Sequence, residues 1–198
     1  MSTEPALVAL RVGTRAEHER VERLLRLEAP MSMQRYTTVM AGFDAFLAAW
    51  EPRIADALPE RLKPWFSERR RGHLARADVR WLASTGVLPL QAMRVDAVHA
   101  LALDETAATM GSLYVLEGSA LGGRVLCPQL RQTLGVGPGR GCDYFEGFGD
   151  ATGAMWRDFR QVSSEEIGDS PQAVAAACEA AKNTFEAMLD AFALLPPP

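Results

Sequence analysis

Three histidines are available to a chain of 198 residues, and one of them is placed for chemistry. His18 interrupts a face otherwise made of Leu10, Thr14, Val21 and Leu25 at helical spacing. An imidazole there is either a hydrogen-bonded core residue or a metal ligand. Glu22 follows one turn later, where it can hold the second ring nitrogen directly or through water, as a ligating histidine requires. His73 lies among arginines on a polar face and is expected to be exposed. His99, in AVHALAL, fits a loop or partly buried structural role.

The second feature is the stretch Leu113 to Leu126, LYVLEGSALGGRVL. Its apolar residues recur at helical spacing, yet it contains Gly118, Gly122 and Gly123, each costing roughly 1 kcal/mol against alanine inside a helix. Gly118 and Gly122 share a face, with Gly123 beside them. Three explanations stand: close packing of two helices through small residues, a kinked or flexible helix, or a backbone lying against a flat ligand where any Cβ would clash. The last gains weight if a histidine-bearing helix lies opposite.

The elements that must position these residues are helical. A first helix is predicted over Leu7 to Leu27, stopped by Pro30. A second runs from Ser32 to about Ala57, bent near Pro52, with Tyr36, Val39, Met40, Phe43, Phe46, Leu47 and Trp50 as its buried stripe. Pro59 and Pro64 bracket a short turn. Ser67 to Ser84 reads as a charged amphipathic helix with Leu74, Val79 and Leu82 inward and Arg69, Arg70 and Arg71 on a solvated face, followed by a TGVLPLQ loop. Asp104 is the expected N-cap of a long helix from about Glu105 to Leu134. GVGPGRG then forms a loop; Arg140 stands where a dinucleotide fingerprint needs glycine, and no strand precedes it. Two helices follow, Ala151 to about Val162 and Pro171 to Leu194. With no strand signal, the fold class is all-α: one helical bundle spanning residues 1–198, with 1–6 and 196–198 frayed.

Composition narrows the function. Hydrophobic residues make up 48% and charged residues 23%, enough for one domain with a substantial core. A net charge of -4 and pI near 5.5 argue against a nucleic-acid surface. No apolar stretch reaches the ~18 residues of a membrane span. MSTEPALVAL lacks a basic leader, and Cys127, Cys142 and Cys178 lack the short paired spacing of a zinc or redox site, so a reducing cytoplasm is the expected compartment.

The run TRAEHERVE together with YVLEGSALGGRVL resembles the proximal and distal helices of the haem oxygenase family, most closely the bacterial, biliverdin-producing members found beside bacteriophytochromes. RYTTVMAGFDAFLAAWEPRI, DYFEGFGDATGAMWRDF and AAKNTFEAMLDAF resemble later segments of the same family in order and spacing, so the similarity covers nearly the whole chain. It implies a single-domain bundle with haem held between the first, proximal helix and the glycine-containing distal helix. His18 would be the iron ligand, with Thr14 and Glu22 beside it. Gly118, Gly122 and Gly123 would lie against the opposite face, joined by Tyr114. Arg11 and Arg160 match basic positions near the propionates. Phe185 and Phe192 match pocket aromatics, though two core aromatics two turns apart explain them equally well.

One departure bears on mechanism. Animal members carry an aspartate after the first distal glycine, where this chain has Ser119. A hydroxyl donates and accepts hydrogen bonds but cannot order water by charge, which leaves Tyr114, Glu117 and Arg124 as further candidates for proton delivery. The resemblance implies cleavage of haem at a meso carbon to biliverdin, carbon monoxide and ferrous iron, using O2 and electrons from an external reductase or ferredoxin, with a bacteriophytochrome as a possible recipient of biliverdin. Haem would be both cofactor and substrate. A haem or bilin carrier or sensor of the same fold is the alternative, and a thiaminase-like or pyrroloquinoline-quinone-type helical enzyme is another.

Overall fold

A computed structural model describes residues 5–90, 93–193 and 195, apart from the side chain of Arg124. The proline tail and the first four residues lie outside that range. Pro5 and Ala6, expected to fray, belong to the first helix, and Ala6 is buried.

The first predicted helix is two. α1 spans Pro5–Gly13 and α2 spans Arg15–Leu25, separated by Thr14 at φ -111°, ψ 7°. The Thr14 hydroxyl donates to the Leu10 carbonyl at 2.8 Å, a local bond that competes with regular helix geometry next to a glycine. α2 ends at Arg26, whose left-handed φ of 45° turns the chain before Pro30 is reached. α3, Met33–Ala57, is capped as its sequence suggests, with Ser32 Oγ accepting from the Arg35 amide at 3.2 Å. All seven residues of its predicted stripe are buried.

The basic run corrects the sequence reading. The predicted Ser67 to Ser84 helix starts late, as α5, Gly72–Ser84, and Ser67 instead closes the short α4, Lys63–Ser67. Between them Arg69 and Arg71 are buried rather than solvated. Glu51 of α3 sets the start of α5: its carboxylate accepts from the Arg71 and Gly72 amides at 2.8 and 2.7 Å and from Arg70 Nε at 3.0 Å. A buried carboxylate collects the unpaired N–H groups of a helix start, so α5 begins where Glu51 can reach it. Ala75, Asp78 and Leu82 form its buried face, with Leu74 and Val79 only partly covered.

Past α6, Asp96–His99, the long α7 runs Thr106–Leu134 and stops at Gly135, φ 71°. Glu105 rather than Asp104 flanks its start, and no side chain caps it. His73 and His99 are exposed. A short α8, Asp143–Glu146, was not foreseen; Asp78 caps it by accepting the Asp143 and Tyr144 amides, each at 2.8 Å. α9, Thr152–Ile167, outruns its predicted end because Ser163 and Ile167 continue the buried face of Phe159. α10, Pro171–Ala191, completes the bundle, ending three residues before its predicted limit. Among the described residues no strand forms; only an isolated bridge pairs Gly137 with Arg140 and Gly141.

α10 is the element on which the others lean: α7, α1, α2 and α6 all pack against it. Gly111 of α7 lies so close to α10 that a Cβ would stand 1.9 Å from the Ala177 carbonyl oxygen. One residue on, Ser112 Oγ bonds Thr184 Oγ1 at 2.7 Å and accepts from Trp50 Nε1 at 2.9 Å. The first half of α7 is thereby fixed to α10 and α3.

Candidate functional site

His18 stands on α2 with Leu10, Thr14, Val21 and Leu25 buried around it, yet its own side chain is 53% exposed. The imidazole is therefore not a core histidine. Its ring meets Phe185 of α10 edge-on, centroids 5.9 Å apart. Nδ1 lies 3.6 Å from Glu22 Oε2, just beyond hydrogen-bond range and within reach of it after a small side-chain adjustment. Nε2 has no partner among the described residues. Neither ring nitrogen holds a hydrogen bond among the described residues, and Nδ1 is the one that faces Glu22.

The three glycines of α7 have two different reasons to lack a side chain. A Cβ on Gly122 would meet nothing within 4 Å, and one on Gly118 would reach only Trp156, at 3.9 Å. With Leu121 and Val125 they make an open stripe at i, i+3, i+4 and i+7, on which Val125 is 75% exposed. Gly123 points elsewhere: a Cβ there would stand 2.3 Å from the Phe145 carbonyl oxygen. It serves packing of α7 on α8, not the open face assigned to it from sequence. Gly118 thus borders α9 and Gly123 borders α8, while α2 packs on α10.

The remaining predicted positions divide. Arg11 is exposed on α1 and close enough to Tyr114 to act on its charge; burial nonetheless pushes the Tyr114 phenol up. The Tyr114 ring lies 6.0 Å from that of Trp156, which also borders Gly118. Arg160 is exposed on α9, and Ser119 is exposed on α7. Thr14 is buried with its hydroxyl committed to Leu10, so it shapes the α1–α2 bend instead of facing a ligand. Phe192 is also withdrawn: it sits in the core against Gly42, where a Cβ would stand 2.1 Å from its ring, and against Phe43. Its core reading from sequence is the right one.

The family model described as Heme oxygenase matches residues 4–193. The chain belongs to the haem oxygenase family. It is 33% identical over 132 residues to a heme oxygenase of Xanthomonas campestris pv. campestris, covering 67% of this chain and 73% of that protein. Its fold matches the NO- and CO-bound heme oxygenase from Neisseria meningitidis with a TM-score of 0.67 and 23% identity, over 93% of this chain and 90% of that one. The protein is thus an all-α, haem-degrading enzyme, and haem is its substrate. Among the described residues no helix is long and apolar enough to cross a membrane.

Three features of this haem oxygenase suit a flat macrocycle with a metal at its centre: an unpartnered imidazole nitrogen, an aromatic ring against that imidazole, and an apolar stripe with Cβ atoms missing where a ring can approach. Behind the stripe lies a cluster that sequence reasoning missed. Arg69 Nη1 donates to Glu117 at 2.8 Å and Arg69 also pairs with Asp158, while Arg71 donates to the Leu116 carbonyl. Glu51, Arg69, Arg71 and Glu117 line a small cavity with Leu47, Trp50, Phe66, Leu113 and Leu116. Burial pushes the Glu117 carboxyl up against the opposing pull of Arg69 and Arg71. Two buried cations thus grip α7 at the two residues before Gly118. The signal was present: Glu117 inside LYVLEG and Glu51 next to a buried tryptophan both require cationic or amide partners.

Proposed function

We propose that His18 is the protein ligand to haem iron, through Nε2, and that the enzyme opens haem at a meso carbon to give biliverdin, carbon monoxide and ferrous iron. Bound haem supplies both the iron that activates O2 and the carbon skeleton that is cleaved. Glu22 holds the imidazole by its Nδ1–H and fixes the tautomer that leaves Nε2 free to ligate. Phe185 fixes the ring plane from below. Gly118 and Gly122 admit the macrocycle to within van der Waals distance of the α7 backbone, and Leu121 and Val125 exclude water around it. Arg11 and Arg160 pair with the propionates at the solvent edge, and Tyr114 closes the α1 end. Ser119, replacing an acid, offers a hydroxyl as hydrogen-bond donor on the distal side.

The observation that carries this reading is an exposed imidazole on α2, with no hydrogen bond at either ring nitrogen, in a chain whose α7 also carries an open glycine stripe. Electrons come from an external ferredoxin or reductase, and a bacteriophytochrome is a fitting acceptor for biliverdin. The test is to load the protein with haemin, supply ascorbate under oxygen, and follow the spectrum. Decay of the Soret band with growth of a broad red absorbance of biliverdin, and carbon monoxide trapped in step with it, is expected. A Soret band that persists through reduction and aeration makes the protein a haem carrier and overturns the proposal.

A further inference from the structure

Aromatic rings run in file from the protein's rim to the glycine stripe. Trp65 of α4, half-buried, stacks on Phe159 of α9 with centroids 6.4 Å apart and planes 19° off parallel. Phe159 is fully buried and stacks in turn on Trp156, one turn earlier in α9, at 5.4 Å and 20°. Trp156 borders Gly118, where a Cβ would stand 3.9 Å from its ring, and lies 6.0 Å from the ring of Tyr114, on the same face of α7. At the outer end Trp65 Nε1 donates to Asp158 Oδ2 at 2.7 Å, and the Asp158 side chain is 53% exposed. Arg69 stands over the same indole, 4.3 Å from its centroid, and also pairs with Asp158. That guanidinium disfavours a positive charge on Trp65. Loss of an electron together with the Nε1 proton avoids the charge, and the carboxylate that would take the proton is already hydrogen-bonded and reaches water.

Resting on the reading above that haem lies against Gly118, we propose that Trp156, Phe159 and Trp65 form a conduit that drains oxidising equivalents from the haem site to solvent when hydrogen peroxide is consumed there without haem cleavage. Hydrogen peroxide takes up two electrons and two protons to become two waters. Trp156 supplies the electrons one at a time, and Trp65 refills Trp156 across the Phe159 ring. Phe159 is not itself oxidised; it keeps the two indoles in stacked contact. Each time Trp65 gives up an electron its Nε1–H bond breaks, and the proton passes to Asp158 and on to water. A one-electron reductant such as ascorbate restores Trp65 from solvent, with a proton returning to Nε1. An oxygen-activating site drained in this way spares its own ligand and walls from side reactions.

The test is a map of oxidised residues. Haemin titration of the parent and each variant comes first. The ferric haemin complex is then treated with hydrogen peroxide without reductant, and oxidised tryptophan is located by peptide mass spectrometry. Trp81, half-buried on α5 outside the file, is the internal control. A freely diffusing oxidant treats two half-buried indoles alike, so haem-free protein should oxidise Trp65 and Trp81 within about twofold of each other. Delivery along the file acts as a bound reactant does, so in the haemin complex Trp65 should exceed Trp81 by about tenfold. Trp156→Phe keeps a ring in the stack but removes the first electron donor; it should bring Trp65 down to the level of Trp81. Trp65→Phe should shift the oxidation to Trp156 and Tyr114. Equal oxidation of Trp65 and Trp81 in the haemin complex, or Trp65 oxidation unchanged by Trp156→Phe, overturns the proposal. A parent that binds haemin and shows the map, yet leaves haem intact under ascorbate and oxygen, overturns the cleavage reading alone; one that binds no haemin overturns both.

Discussion

His18 and Phe185 meet edge to face with ring centroids 5.9 Å apart, one ring half exposed on α2 and the other buried in α10. This contact fixes the imidazole plane through the element that carries the rest of the bundle. Phe185→Leu keeps the apolar volume roughly but removes the flat partner, so the stability cost should be near 1 kcal/mol. Haem affinity should fall by about tenfold, as when a residue supporting a ligating histidine is lost. Chemical denaturation and haemin titration of the same variant measure the two effects separately.

Gly122 and Gly123 are adjacent and should respond in opposite ways. Gly122→Leu places its side chain in open space, so apo stability should hold or rise by up to ~1 kcal/mol from helix propensity, while haem binding weakens at least tenfold. Gly123→Ala drives a Cβ into the Phe145 carbonyl and should cost about 1–3 kcal/mol before any ligand is added. Thermal melts without haem distinguish them; equal destabilisation would mean the open face at Gly122 is wrongly identified.

The Arg69–Glu117 pair is nearly dry, with side chains 2% and 7% exposed. Removing one partner, as in Arg69→Met, leaves a buried carboxylate without its cation and should cost about 3–5 kcal/mol. Adding Glu117→Met to that variant should recover most of the loss, since the stranded charge goes with it. Urea denaturation of the three proteins completes the cycle.

Asp78 carries a pH signature. Burial pushes its carboxyl up to about 6, only partly offset by the Tyr144 and Asp143 amides it accepts. The folded state therefore holds this proton more tightly than the unfolded chain does. Its stabilising contribution is complete below the unfolded value near 4 and is lost as pH rises through about 6. Relative to Asp78→Asn, which cannot titrate, the parent should lose stability between pH 4 and pH 7. A difference that is flat across that range, or of opposite slope, contradicts the assignment.

Much of the site was legible because it is local. The α3 stripe and the half-polar face around His18 follow from helical period, and the cost of glycine in α7 demanded a close approach of some kind. What stayed hidden depends on partners far along the chain. Gly123 answers to the Phe145 carbonyl and Phe192 to Gly42, and neither pairing has a sequence period. Arg69 and Arg71 read as a solvated run because the acceptors of their guanidinium groups, Glu117 and the Leu116 carbonyl, come from α7. The bend at Thr14 was missed for a different reason: it rests on one hydroxyl choosing a carbonyl four residues back.

The central claim is that His18 ligates haem opposite the open stripe of α7, and His18→Ala tests it most directly. The ferric haem complex of this variant should lose the histidine-ligated Soret and visible spectrum and its turnover, and millimolar imidazole should restore the spectrum by filling the space left by the side chain. A variant that keeps the parent spectrum and turnover without imidazole would contradict the account.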